Sequence, residues 1–179
     1  MINYSINNFF DSETCDRILN FSLQNGIKFS YNPNENDTWD CRRIYDNKLK
    51  EEILNIFKNK KDLNLWFNFN EFNCRNINLS LTRYYDGRRL DFHKDSTSSL
   101  TTVIVLTENF EDGRFMLSEN KENESILFKL NKGQGVSFDG SKVFHGVKPV
   151  NNGIRCAFNV WMNDTNFEFL PHKDKKTLI

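Results

Sequence analysis

What most constrains the fold of this chain is a change of hydrophobic period at Leu63. Beyond it, apolar and polar residues alternate in short runs bounded by Gly, Asn and Asp, which is the pattern of half-buried strands. The first run is 63–70, where Leu63, Leu65, Phe67 and Phe69 alternate with Asn64, Trp66, Asn68 and Asn70. Further strand candidates are 76–84, 100–107, 113–117, 125–130, 135–138, 143–148 and 154–162. A series of short strands of this kind predicts a mainly β fold closed as a jelly roll or a similar sandwich.

Upstream of Leu63 the period is helical. Asp11 is placed to cap a helix over 12–24, with Cys15, Ile18, Leu19 and Leu23 on one stripe and Gly26 at its end. A second helix is expected over 48–58, with Leu49, Ile53, Ile56 and Phe57 on one face. Both are expected to flank the sheet from outside. The segment 30–40, polar and broken by Pro33, reads as an exposed loop. A chain of 179 residues fits one domain spanning 1–179, with helices over about 12–58 packing on a β core over about 63–165.

Composition narrows the partners. The 24 basic and 24 acidic residues cancel, so no global field draws the protein to nucleic acid or to an anionic membrane. Cys15, Cys41, Cys74 and Cys156 are far apart and form no C-x-x-C pair, so reduced and mostly buried thiols are expected. No basic segment leads into a long apolar one, and no run of about 18 apolar residues occurs. A cytoplasmic protein with no membrane partner is the expectation.

Two of the three histidines suggest chemistry. His93 and Asp95 are separated by one residue, which inside a β-strand places both side chains on one face, and His145 follows the Asp139-Gly140 turn. A single histidine in a strand is more often a satisfied polar residue, and His-x-Asp alone is weak. Together the three supply two imidazoles and a carboxylate. That set holds ferrous iron with open positions, whereas a structural zinc site would want a fourth ligand, usually cysteine. His172, in a charged tail, has no assigned role.

Arg155 opens an alternating run in which Arg155, Ala157, Asn159 and Trp161 share one face and Cys156, Phe158, Val160 and Met162 the other. An arginine among buried strands needs an anion, and its planar fork matches a carboxylate of a small dicarboxylic acid whose other end chelates the metal.

The run from Tyr84 through Asp86-Gly87 to His93-Lys94-Asp95 resembles the prolyl 4-hydroxylase-like branch of the Fe(II)/2-oxoglutarate-dependent dioxygenases. Gly113 to Leu117, Gly135 to Phe138, Phe144-His145-Gly146-Val147, Pro149-Val150 and Gly153-Ile154-Arg155 continue the likeness, which covers 78–162. The resemblance implies a double-stranded β-helix fold with Fe(II) on His93, Asp95 and His145. It further implies that Arg155 binds the distal carboxylate of 2-oxoglutarate and that Tyr84 hydrogen-bonds this cosubstrate, with adjacent Tyr85 as the alternative. Dioxygen is the oxidant, and a requirement for ascorbate stays open. Leu90 stands where collagen-type members have a second tyrosine, and Arg155 replaces their lysine, so collagen-like specificity is not implied.

The activity implied is hydroxylation coupled to oxidative decarboxylation of 2-oxoglutarate. A protein or peptide proline is the first expected substrate, with loops 30–40 and 86–92 flanking it and Trp39, Arg88 or Arg89 in contact. The alternatives are a small metabolite or free amino acid, and a non-catalytic jelly-roll binding module. Zero net charge argues against nucleic acid as substrate.

Overall fold

The computed structural model describes residues 2–29, 40–65, 67–121 and 124–163. Most of the polar segment 30–40, with Trp39, and His172 lie outside them. Strands are numbered in chain order. A seven-stranded sheet runs β1 (Tyr4–Asn8), β10 (Gln134–Phe138), β6 (Leu100–Val105), β13 (Arg155–Met162), β4 (Ile77–Tyr84), β3 (Asp40–Ile44), β2 (Ile27–Phe29). A four-stranded sheet runs β5 (Leu90–His93), β11 (Phe144–Val147), β8 (Phe115–Ser118), β9 (Ile126–Phe128). A short ribbon joins β7 (Phe110–Asp112) to β12 (Val150–Gly153). All pairings are antiparallel, and the two larger sheets form the jelly roll.

The alternation in β13 separates two cores. Its even residues, Cys156, Phe158, Val160 and Met162, join Ile77, Leu79 and Leu81 of β4 and Ile104 of β6 on the outward face. Helix α1 (Ser12–Asn25) and helix α2 (Asn47–Lys58) cover that face with Cys15, Ile18, Leu49, Ile53 and Phe57. The inward face packs Tyr84, Val103, Val136, Phe138 and Ala157 against Phe115, Leu117 and Val147 of the smaller sheet. β13 lies between β4 and β6, so hydrogen bonding on both sides fixes its register, with Arg155 opposite Tyr84 and Trp161 opposite Asn78.

Both helices form where the periodicity placed them. Asp11 accepts from the Thr14 backbone N–H at 2.7 Å, and Asp46 caps α2 through Leu49 N–H at 2.6 Å. Gly26 ends α1 for a reason the sequence did not show. Its φ of −73° is accessible to any residue, but a Cβ there would lie 2.5 Å from the Ser22 carbonyl and 2.9 Å from Arg42 Cβ.

Among the described residues of 63–70 the expected strand does not form. Residues Lys61–Asn64 make a short helix, α3, and Phe69–Glu71 a 3-10 turn. Phe67 N–H bonds the Leu63 carbonyl, Asn64 Nδ2 donates back to the Lys58 and Lys60 carbonyls, and Asn68 Oδ1 accepts from Asn70 N–H. Asparagine side chains thus satisfy local backbone groups that a strand would have paired with a neighbour. Phe67 packs on Phe69 and Phe72 with ring centroids 4.9 and 4.7 Å apart, while Leu65 stays exposed. Six short strands, β1, β2, β3, β5, β7 and β12, exist in addition to those the pattern indicated. All four cysteines are free, three of them buried. Among the described residues no helix is long and apolar enough to cross a membrane.

Candidate metal centre and cosubstrate pocket

β5 and β11 pair so that His93 and His145 are direct cross-strand partners, with ring centroids 4.2 Å apart. Asp95 lies two residues beyond, just past the end of β5, where its N–H bonds the Gly140 carbonyl at 2.9 Å. One ligand atom from each of the three lies within 4.8 Å of the others.

Each imidazole is oriented by a backbone carbonyl. His93 Nδ1 meets the Asp91 carbonyl at 3.0 Å and His145 Nδ1 meets the Val143 carbonyl at 3.1 Å. Nδ1–H donating to those oxygens leaves each Nε2 lone pair for a cation. Burial lowers the His145 pKa to about 4; the nearby Asp95 carboxylate opposes that shift and His93 adds to it. The ring is therefore neutral at pH 7, the state a metal ligand needs. Phe138 packs 4.8 Å and Phe115 6.1 Å from the His145 ring, centroid to centroid.

The Asp95 carboxylate is held from the large sheet. Thr101 Oγ1 donates to Oδ2 at 2.5 Å and Trp161 Nε1 donates to the same oxygen at 3.0 Å. Gly140 makes room for it, since a Cβ there would lie 2.0 Å from Thr101 Oγ1 and 2.5 Å from Asp95 Oδ2. Further along the inward face, Asn159 Nδ2 donates to Ser80 Oγ at 3.1 Å and Thr82 Oγ1 at 3.2 Å. Thr82 spends its own proton on the Ala157 carbonyl at 3.3 Å.

Arg155 stands at the start of the same strand, 1 % exposed, with its guanidinium carbon 5.5 Å from the Tyr84 ring centroid. Its Nη1 has no acceptor among the described residues. Burial lowers the Arg155 pKa from its usual value, the nearby Tyr84 and Cys156 opposing this. A buried guanidinium nitrogen without an acceptor costs about 1–3 kcal/mol or more, which an incoming carboxylate would offset. Both donor sets therefore fit the groups expected of them, a divalent cation at one and a carboxylate at the other.

All five residues singled out in the sequence, Tyr84, His93, Asp95, His145 and Arg155, lie on the inward side of the sandwich. Thr101, Trp161 and Gly140 were missed as supports of Asp95. Trp161 was findable, since it shares the Arg155 face at even spacing; nothing local marked Thr101.

Two imidazoles and one carboxylate with open positions are a donor set suited to non-haem iron. Residues 79–163 match the family described as the 2OG-Fe(II) oxygenase superfamily. The match covers just under half of the chain and supports a 2-oxoglutarate- and Fe(II)-dependent oxygenase domain there. The fold is similar to that of a Pseudomonas putida prolyl-4-hydroxylase, with a TM-score of 0.69 and 12% identity, over 91% of this chain and 94% of that one. A viral collagen prolyl hydroxylase from Paramecium Bursaria Chlorella virus-1, solved with 2OG, superposes with a TM-score of 0.61 at 18% identity, over 88% and 94% of the two chains. A Trichoplax adhaerens prolyl hydroxylase, solved with a peptide fragment of the hypoxia inducible factor oxygen degradation domain, gives 0.62 at 18% identity, over 90% and 83%. No curated protein matches the chain in sequence.

Proposed function

We propose that His93 and His145, through Nε2, and Asp95 hold the Fe(II), that Arg155 takes the distal carboxylate of 2-oxoglutarate beside Tyr84, and that the enzyme hydroxylates a protein or peptide, at proline. One combination carries the reading: an N,N,O donor set and a fully buried arginine without an anion share the inward side of one sandwich. Fe(II) with 2-oxoglutarate supplies, when bound, oxidation of a C–H bond by dioxygen coupled to decarboxylation of the cosubstrate.

The chain's own residues prepare that chemistry. The Asp91 and Val143 carbonyls hold both imidazoles in the tautomer that presents Nε2. Thr101 and Trp161 fix the carboxylate before any ligand arrives, so little reorganisation is needed on binding. Phe115 and Phe138 keep water from the buried side of His145.

The peptide substrate is supported by fold neighbours named as prolyl hydroxylases, one solved with a peptide. Arg88 and Arg89, in the turn that leads into β5, stand on the chain just before His93, where they can contact an extended chain. Leu90 and Arg155, in place of collagen-type residues, point away from collagen-like targets.

The test is anaerobic reconstitution with Fe(II), followed by 2-oxoglutarate, air and a library of proline-containing peptides, read by mass spectrometry for gain of one oxygen atom. Hydroxylated proline supports the proposal. Oxygen gained by a free amino acid or metabolite, with no peptide modified, replaces the peptide assignment. Unchanged 2-oxoglutarate turnover in Asp95→Ala and His145→Ala would remove the metal assignment.

A further inference from the structure

The two larger sheets leave four strand edges unpaired among the described residues, and these edges are not equally guarded. β2 carries Lys28 and β5 carries Asp91, charges that discourage a further strand from adding there. β1 and β9 carry no charged residue. These two edges also lie side by side, since the Tyr4 ring meets the Phe128 ring edge-on with centroids 5.1 Å apart. Apolar surface gathers there. Tyr4, Ile6, Ile126 and Leu127, exposed by 40, 46, 38 and 40 %, are half of the eight large apolar side chains that remain exposed among the described residues.

Charge around β9 specifies the neighbour it can take. Beyond its ladder with β8, no hydrogen bond reaches Ile126, Leu127 or Phe128 among the described residues, so backbone donors and acceptors along the outer side of the strand stay open. Glu124 stands before the strand and Lys129 directly after it, both exposed and neither paired with an opposite charge among the described residues. One end is thus acidic and the other basic, with only Ser125 and apolar residues between them. A second β9 laid antiparallel brings the acid of each copy to the end where the base of the other stands. A parallel one would set like charges together. The formal net charge of zero adds no repulsion between two copies of the chain.

We infer that β9 is a self-association edge, which pairs antiparallel with β9 of a second copy of this chain about a two-fold axis. A segment paired antiparallel with itself makes an isologous contact, which closes at two copies. Centred on Leu127, the register sets that residue opposite the partner's Leu127 and Ile126 opposite the partner's Phe128. Two four-stranded sheets then become one of eight strands, in the order β5-β11-β8-β9-β9-β8-β11-β5. Tyr4, held against Phe128, adds its exposed side to the seam, with Ile6 on the same face of β1. The partner adds at the edge opposite the one formed by β5, so His93 and His145 stand away from the seam. The association is independent of what the metal-binding residues do.

Sedimentation equilibrium of the full chain is the test. A reversible dimer of twice 21.2 kDa is expected. Leu127→Lys sets two ammonium groups together at the axis and is expected to leave only monomer, with the circular dichroism of the wild-type protein. Glu124→Lys puts like charges at both ends of the seam and is expected to raise the dissociation constant about tenfold. Adding Lys129→Glu restores opposite charges and is expected to return the wild-type value, which a role of either residue within its own copy would not do. Ile27→Lys, at the β2 edge, is expected to leave the dimer intact. The inference is overturned by a wild-type chain that stays monomeric up to millimolar concentration, by a dimer that survives Leu127→Lys, or by a double charge variant that associates no more tightly than Glu124→Lys. A dimer dissolved by Ile27→Lys and not by Leu127→Lys would move the surface to β2 and overturn it as well. Were Leu127→Lys to lose its fold, the charge-reversal pair would decide alone.

Discussion

Two hydrogen bonds to one oxygen hold the Asp95 carboxylate, and they can be removed separately. Trp161→Phe keeps most of the ring's bulk and deletes only the indole N–H that donates to Oδ2 at 3.0 Å. Thr101→Val keeps the shape of the side chain and deletes the hydroxyl that donates at 2.5 Å. A hydrogen bond to a charged group contributes about 1.5–3 kcal/mol, and loss of a partner that orients a metal ligand typically costs 10–100-fold in metal affinity. Because each donor can partly substitute for the other, each single variant is expected near the lower figure, about tenfold weaker. The double variant leaves the carboxylate free to rotate and is expected near about 100-fold. Anaerobic titration calorimetry with Fe(II), or with Co(II) as a redox-inert substitute, measures this directly, with circular dichroism confirming the fold. The steric alternative is Gly140→Ala, whose Cβ would come within 2.5 Å of Asp95 Oδ2. Wild-type metal affinity in the double variant would refute the reasoning, because Asp95 would then be either pre-set by something else or not a ligand.

Three further outcomes are expected. Gly140→Ala should lower metal affinity at least as far as Trp161→Phe, because the added methyl must displace Thr101 or Asp95; metal titration of the folded variant checks this. Arg155→Ala should raise the 2-oxoglutarate concentration for half-maximal turnover by about 100-fold, the worth of a two-pronged charged contact, in a succinate-release assay. Burial pushes the Cys41 and Cys156 thiols up to about 11 from an ordinary 9.0. An acid whose pKa rises on folding stabilises the native state fully below pH 9 and loses that contribution between pH 9 and 11, at about 1.4 kcal/mol per unit. Urea unfolding from pH 8 to 10.5 should therefore show a smaller loss of stability in Cys156→Ala than in the wild-type protein.

How much of this was legible depended on whether a side chain answers to its neighbours in sequence or in space. The alternation in 154–162 is a local signal, and it placed Arg155 on a face with Trp161 because strand side chains obey a period of two. The same rule failed at 63–70, where asparagines satisfy backbone groups through their side chains and two helical turns replace the strand. The short strands β1, β3 and β5 each pair with a strand distant in sequence or across the fold, a partner that local pattern does not show. His93 and Asp95 were visible as a pair. That Thr101 holds Asp95 depends on where the topology sets β6 relative to the end of β5, which no window of sequence contains.

The inward face of β13 acts as a measuring stick. One eight-residue strand carries at one end the buried Arg155 and at the other the tryptophan that donates to the Asp95 carboxylate, and both neighbours lock its register. Inserting or deleting one residue within it would turn every side chain beyond that point to the opposite face, sending an arginine or a tryptophan into the phenylalanine-rich outer core. Length inside this strand is therefore fixed more tightly than residue identity.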